Sequence, residues 1–159
     1  MSGLAGIVLT GTPQAFAVGA NLAEVSALSP LDALRFSRLG QRLMQRVERY
    51  TKPIAAAICG YCLGGGFDLA LACHVRIAAE TAVFGHPGGS LGIITGWGGT
   101  QRLSRIAGRA RCLEILTTGR TLTAAEAFAS RLVSRVVPAE TEVNAAVALL
   151  EAAAAAKQR

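Results

Sequence analysis

The chain is poor in charge. Asp, Glu, Lys and Arg make up 16% of its 159 residues, against roughly 25% in an average soluble domain. Hydrophobic residues reach 52%, enough for one real core, so the chain buries much of itself or meets partner subunits. Aromatic residues are scarce at 5%. Few of them interleave with the arginines that carry most of the +6 net charge. Those arginines are spread over Arg35, Arg38, Arg42, Arg46 and Arg49, then Arg102, Arg105, Arg109 and Arg111. With no nucleic-acid motif beside them, they read as solvated helix faces, with an anionic small molecule as the expected kind of partner.

Other absences narrow the class further. No window of about 18 apolar residues runs without a charge or a turn signal, so no membrane span is expected. The opening "MSGLAGIVLTG" has no basic start, so it is no signal peptide, and the cytoplasm is the expected compartment. Cys59 and Cys62 form a lone C-x-x-C with no second pair and no matching histidines, which is weak evidence for zinc. Each of Cys59, Cys62, Cys73 and Cys112 lies in an apolar run and is expected to be a buried free thiol, and no metal site is expected.

What is present alternates between strand and helix signals. "GIVLTG" (6–11) reads as a buried strand and "TPQAFAVGANLAEV" (12–25) as a loop of small residues. Ser29-Pro30 starts a helix, with a capping serine and proline at the first helical position. Leu31, Leu34, Leu39, Leu43 and Val47 recur near helical spacing through Tyr50, and Lys52-Pro53 ends the run. "PIAAAICG" is a second strand, "GFDLALAC" a helix, and "VRIAAE" and "AVFG" are two more strands. A glycine-rich stretch follows, then helices near 100–107 and 109–118. Thr123 and Glu126 form a capping box. "LVSRVV" is a last strand, and residues 142–157 make an alanine-rich helix. Alternating strands and helices predict an α/β class, with one domain over residues 1–159 and no internal repeat.

The stretch "CGYCLGGGFDLALAC" (59–73) places Gly64, Gly65 and Gly66 at a helix start, followed by the lone carboxylate of Asp68. The first N–H groups of a helix lack internal partners and carry partial positive charge, and glycine lets a ligand approach them closely. By spacing alone this is equally an anion site or a tight strand–helix turn. It is neither a Walker phosphate loop nor a G-x-G-x-x-G turn. A second donor would make an oxyanion site, and "AVGAN" (17–21) is the candidate loop.

Three blocks together carry a resemblance: "IVLTGTPQAFAVGANLAEV", "PIAAAICGYCLGGGFDLALAC" and "GIITGWGGTQRL" resemble, in order and spacing, the signature of the enoyl-CoA hydratase/isomerase (crotonase) family. The likeness covers roughly residues 6–138. It implies a ClpP/crotonase-like α/β fold of repeated ββα units and an acyl-CoA thioester as ligand. It implies no cofactor beyond that coenzyme A, no nucleic-acid or membrane partner, and a homotrimer or hexamer. By position, the two oxyanion N–H donors fall on Ala20 and Gly65. The acyl-CoA channel falls on Val18, Gly19, Asn21, Leu22, Tyr61, Gly64, Pro87, Leu91 and Gly96. Relatives are longer at both ends, so the chain is expected to be a partial copy, without the early strands and the C-terminal helices.

The resemblance breaks at the acid–base pair. Hydratases of the family use two glutamates. The first position is Asp68 here, one methylene shorter. The second is Gly88, which has no side chain. His86, two residues earlier, titrates near neutrality and is a candidate substitute, against a plain loop histidine. His74 is expected to be structural, and Gly98, Gly99 and Thr100 to start a helix. Three functions stay open: an enzyme passing through a thioester enolate, with hydration or double-bond isomerisation as its reaction; a module that binds acyl-CoA without turnover; and an inactive subunit that packs on a full-length relative.

Overall fold

A computed structural model describes residues 4–156. Eight strands and seven α-helices alternate along it: β1 (Ile7–Leu9), β2 (Ala15–Ala17), α1 (Leu22–Ser26), α2 (Pro30–Glu48), β3 (Ile54–Ile58), β4 (Tyr61–Leu63), α3 (Gly65–Ala72), β5 (Val75–Ala79), β6 (Val83–Gly85), α4 (Gly99–Ala107), α5 (Arg109–Thr118), β7 (Thr121–Thr123), α6 (Ala124–Ala129), β8 (Arg135–Val137) and α7 (Glu142–Ala156), with a short 3₁₀ turn at Pro87–Leu91. Successive strands fall into two four-stranded sheets, one ordered β1-β3-β5-β8 and the other β2-β4-β6-β7. The first is parallel throughout, while the second ends in an antiparallel β6–β7 pair. The units β1β2, β3β4 and β5β6 each give one strand to each sheet before the chain turns helical, while α6 separates β7 from β8.

Strand β3 shows why a parallel sheet needs apolar residues on both faces. All five residues of "IAAAI" are buried. Ala55 and Ala57 face Ala146 and Leu150 of α7. Ile54, Ala56 and Ile58 face the main core with Phe67, Leu71, Phe84, Leu103, Ile115 and Leu122. Alanine keeps the α7 side shallow, so the helix lies close on the sheet. The buried Arg76 of β5 is satisfied by carbonyls, its Nε donating to Leu132 O at 2.6 Å and its Nη1 to Cys73 O at 2.6 Å.

Side-chain caps start three of the helices, α1, α2 and α6. Ser29 accepts from the Asp32 N–H with Pro30 behind it, and the Thr123–Glu126 capping box makes both of its bonds. All four cysteines are free and buried. His74 accepts the Ile54 N–H on Nδ1 at 3.0 Å and ties α3's exit to β3.

Several expectations need correction. The segment 12–25 is not a loop, since it holds β2 and α1. β4 and β7 carry no period-two signal because they are three residues long. The last strand is only Arg135–Val137. The expected helix 142–157 runs to Ala156, and Lys157 lies outside the described residues. In α2 the helix rests on Gly40 and Met44, while Leu31, Leu34, Leu39 and Leu43 are exposed. A glycine lets the helix come close to its neighbours, and the leucines are left on the flanks.

Candidate active site

The site forms where β4 turns into α3. Gly64 caps the helix at φ 53°, a left-handed conformation that side chains resist, and its own N–H is held by Gly85 O at 2.9 Å. Gly65 then opens the helix. Among the described residues its N–H has no acceptor, and neither has the Ala20 N–H. The two loops lie against each other: a Cβ on Gly19 (φ 93°) would stand 2.8 Å from Gly65 N, and one on Gly66 would run into Ala17 O. The glycines at 19 and 66 are thus required by a close approach of two main chains.

One helical turn into α3, Asp68 lines the same cleft and is wholly buried. Thr95 Oγ1 donates a hydrogen bond to Asp68 Oδ2. His86 Nε2 stands 3.3 Å from Oδ1. That is ion-pair distance, but neither atom has an aligned hydrogen bond among the described residues. His86 also stacks on Phe67, ring centroids 5.1 Å apart. Burial raises the Asp68 pKa to about 6, against the pull of the Thr95 bond, the Arg102 charge and the Trp97 main chain. Burial lowers His86 to about 4. At neutral pH the pair is therefore a carboxylate beside a neutral imidazole.

The cleft encloses about 280 Å³. Val18, Gly19, Ala20, Leu22, Gly64, Gly65, Pro87, Gly88, Leu91 and Gly96 all line it, together with Asp68 and His86. Asn21 and Tyr61 do not. Asn21 Oδ1 caps α1 by accepting from Ala23 N at 3.1 Å, and Tyr61 is half exposed on β4. Gly88 sits in the 3₁₀ turn and accepts the Ile93 N–H at 2.8 Å. A Cβ there would lie 2.6 Å from Ile93 O, so the turn is closed around a residue without a side chain.

Two residues went unread in the sequence, Thr95 and Trp97, and a third, Arg102, expected on a solvated helix face, is instead buried. Thr95 holds Asp68. Trp97 lines the cleft and packs on Phe36 at a centroid distance of 5.3 Å. Arg102, buried and paired with Glu48 at 2.8 Å, donates to Trp97 O at 3.2 Å. No periodicity marks them, because they meet Asp68 from across the fold. Among the described residues, no three His, Cys, Asp or Glu side chains converge as metal ligands, and no helix is long and apolar enough to cross a membrane.

Two sheets fed by alternate strands, and a helix that opens on bare N–H groups with a buried acid one turn later, define the class of fold to compare. Comparison with known proteins gives the family: the family model for enoyl-CoA hydratase/isomerase matches residues 2–159. The chain belongs to the enoyl-CoA hydratase/isomerase family. It is 43% identical to a probable enoyl-CoA hydratase of Mycobacterium bovis, over 96% of this chain and 60% of that protein. It is 42% identical to a crotonyl-CoA hydratase of Syntrophomonas wolfei, over 84% of this chain and 52% of that protein. The crystal structure of an enoyl-CoA hydratase from Bacillus anthracis superposes with a TM-score of 0.85 at 40% identity, covering 91% of this chain and 56% of that one. The fold is thus crotonase-like, and the chain spans about 60% or less of the relatives it is compared with here.

Proposed function

We propose that the chain acts as one acyl-CoA-binding domain that stabilises a thioester enolate. The observation that carries this reading is the pair of unpartnered N–H groups, Ala20 and Gly65, on two touching loops that line one cleft with the buried Asp68 carboxylate. The thioester carbonyl oxygen accepts from both. Donors held in place before the reaction stabilise the negative charge that develops on that oxygen.

Asp68 moves the proton. With no side chain at Gly88, a shuttle between two carbons suits the site better than addition of water, which needs a base for the water and an acid for the α-carbon. In isomerisation Asp68 removes a proton from one carbon of the acyl chain. The electron pair moves into the thioester, and the proton returns two carbons away as the carbonyl re-forms. Nothing enters or leaves. The cleft walls Leu22, Val25, Leu28, Phe36, Leu91 and Ile94 are apolar, as an acyl chain requires. No cofactor other than the substrate's coenzyme A enters the reaction. The exposed leucines of α2 supply apolar area for a homotrimer or hexamer, and the cytoplasm is the compartment.

The test is calorimetric titration with crotonyl-CoA and 3-butenoyl-CoA, with loss of enoyl absorbance and double-bond migration followed in the same samples. Saturable binding with turnover that Asp68→Asn abolishes supports the reading. Binding without turnover replaces it with a non-catalytic acyl-CoA module. Absence of binding overturns both.

A further inference from the structure

We propose that Trp97 sets the length of acyl chain that this cleft accepts. The inference rests on the acyl-thioester reading above and adds the residue that limits the ligand.

Trp97 is held in a slot made for it by two glycines on different helices. A Cβ on Gly40 of α2 would run into the pyrrole side of the indole, and a Cβ on Gly65 of α3 would run into its benzo edge. Phe36 packs on the same ring, tilted by 54°. The main chain on either side is fixed as well. Ser37 Oγ and Gln41 Nε2 both donate to Gly96 O at 2.9 Å. Arg102 Nη1 donates to Trp97 O at 3.2 Å, and Thr95 is bonded to Asp68. The ring therefore cannot swing aside without moving α2, α3 or the Asp68 support.

Two hollows meet at this residue. The apolar cleft of about 280 Å³ lies on one side, and a polar hollow of about 500 Å³, lined by Gln41, Gln45, Arg49 and Arg105, lies on the other. Ser37, Thr95, Gly96 and Trp97 line both. Trp97 is the one bulky side chain in that shared wall, and its benzo edge touches the very residue whose N–H faces the thioester. An acyl chain seated on Gly65 meets the indole before it meets the second hollow. With the indole gone, the two hollows join.

The test measures dissociation constants by calorimetry for butanoyl-, hexanoyl- and octanoyl-CoA on the wild-type chain, Trp97→Ala and Trp97→Phe, each checked for native circular dichroism. These saturated probes bind without turning over. Each methylene that finds apolar cover in the slot the indole vacates, beside Phe36, Gly40 and Gly65 and short of the polar hollow, is worth about fourfold in affinity. The wild type is expected to gain little beyond the short chains. Trp97→Ala is expected to bind octanoyl-CoA about tenfold or more tighter than the wild type, with butanoyl-CoA changed far less. Trp97→Phe, which keeps an aromatic ring against Phe36 and leaves a smaller void than alanine, should move octanoyl-CoA in the same direction by a smaller factor. A wild-type length profile in every folded variant overturns the inference and leaves the acyl-CoA reading standing. A wild type that binds none of the three probes overturns both.

Discussion

His86 Nε2 lies 3.3 Å from Asp68 Oδ1, with both side chains buried in the wall of one cleft. Burial drives their protonation in opposite directions, Asp68 up to about 6 and His86 down to about 4.

The first prediction concerns stability. An acid with a raised folded pKa gives stability below its unfolded pKa near 4 and loses it as pH climbs through 6. A histidine with a depressed folded pKa gives stability above 6.5 and loses it as pH falls through 4. Between pH 4 and 6 the two slopes oppose each other in the wild type. Asp68→Asn removes the falling slope, so its stability relative to the wild type should rise across that window by about 3 kcal/mol. His86→Gln removes the rising slope and should move the other way. Urea unfolding midpoints at pH 4, 5, 6 and 7 check both signs; parallel curves for all three proteins would refute them.

Activity should follow the ionisation of Asp68. Under the proposed reaction, turnover has an acidic limb centred near pH 6, below which the base is protonated. The Thr95 hydroxyl and the Arg102 charge both hold that pKa down. Thr95→Val and Arg102→Met should therefore shift the limb to higher pH. Asp68→Asn should cost about 10²–10⁴-fold in kcat with binding of a saturated acyl-CoA retained. The pH dependence of kcat for the four proteins is the measurement.

Restoring the carboxylate that the family resemblance places at position 88 should fail here. A Cβ on Gly88 meets Ile93 O at 2.6 Å inside a turn closed by the Ile93 N–H. Gly88→Glu and Gly88→Ala should each destabilise the fold by about 1–3 kcal/mol. Neither should raise the rate of water addition to crotonyl-CoA. A gain in hydration by Gly88→Glu at wild-type stability would show that the turn opens freely.

The thiols offer a simple check on the core. Burial raises the Cys73 pKa to about 12 and pushes Cys62 and Cys112 up as well. Since the thiolate is the reactive form, these three should react with an aromatic disulfide reagent far more slowly in the folded chain than in denaturant, where all four cysteines should titrate at once.

Much of the fold was legible because it depends on local chemistry. Ser29-Pro30 and the Thr123–Glu126 box mark helix starts by bonds made within one turn, and the glycines before "FDLALAC" mark one by the positive φ of Gly64. The parallel sheet shows in "IAAAI", which has to be apolar on both faces. The second sheet stayed hidden because three-residue strands such as β4 and β7 are too short for a period to appear. The exposed leucines of α2 misled for a related reason: a helical repeat shows that an apolar face exists, but not which side a neighbour covers.

The sequence by itself determined the helix that begins on bare N–H groups, the acid one turn along it and the family to which its blocks belong, since each depends on residues near one another in the chain. Only the tertiary structure decided that Gly19 meets Gly65, that Thr95 bonds one oxygen of Asp68 while His86 stands beside the other, and that Trp97 fills the slot between Gly40 and Gly65. Those contacts join segments far apart in the chain, and their chemistry comes from burial. Whether a carboxylate stays charged, an imidazole stays neutral or a ring blocks a cleft depends on what the fold packs around it.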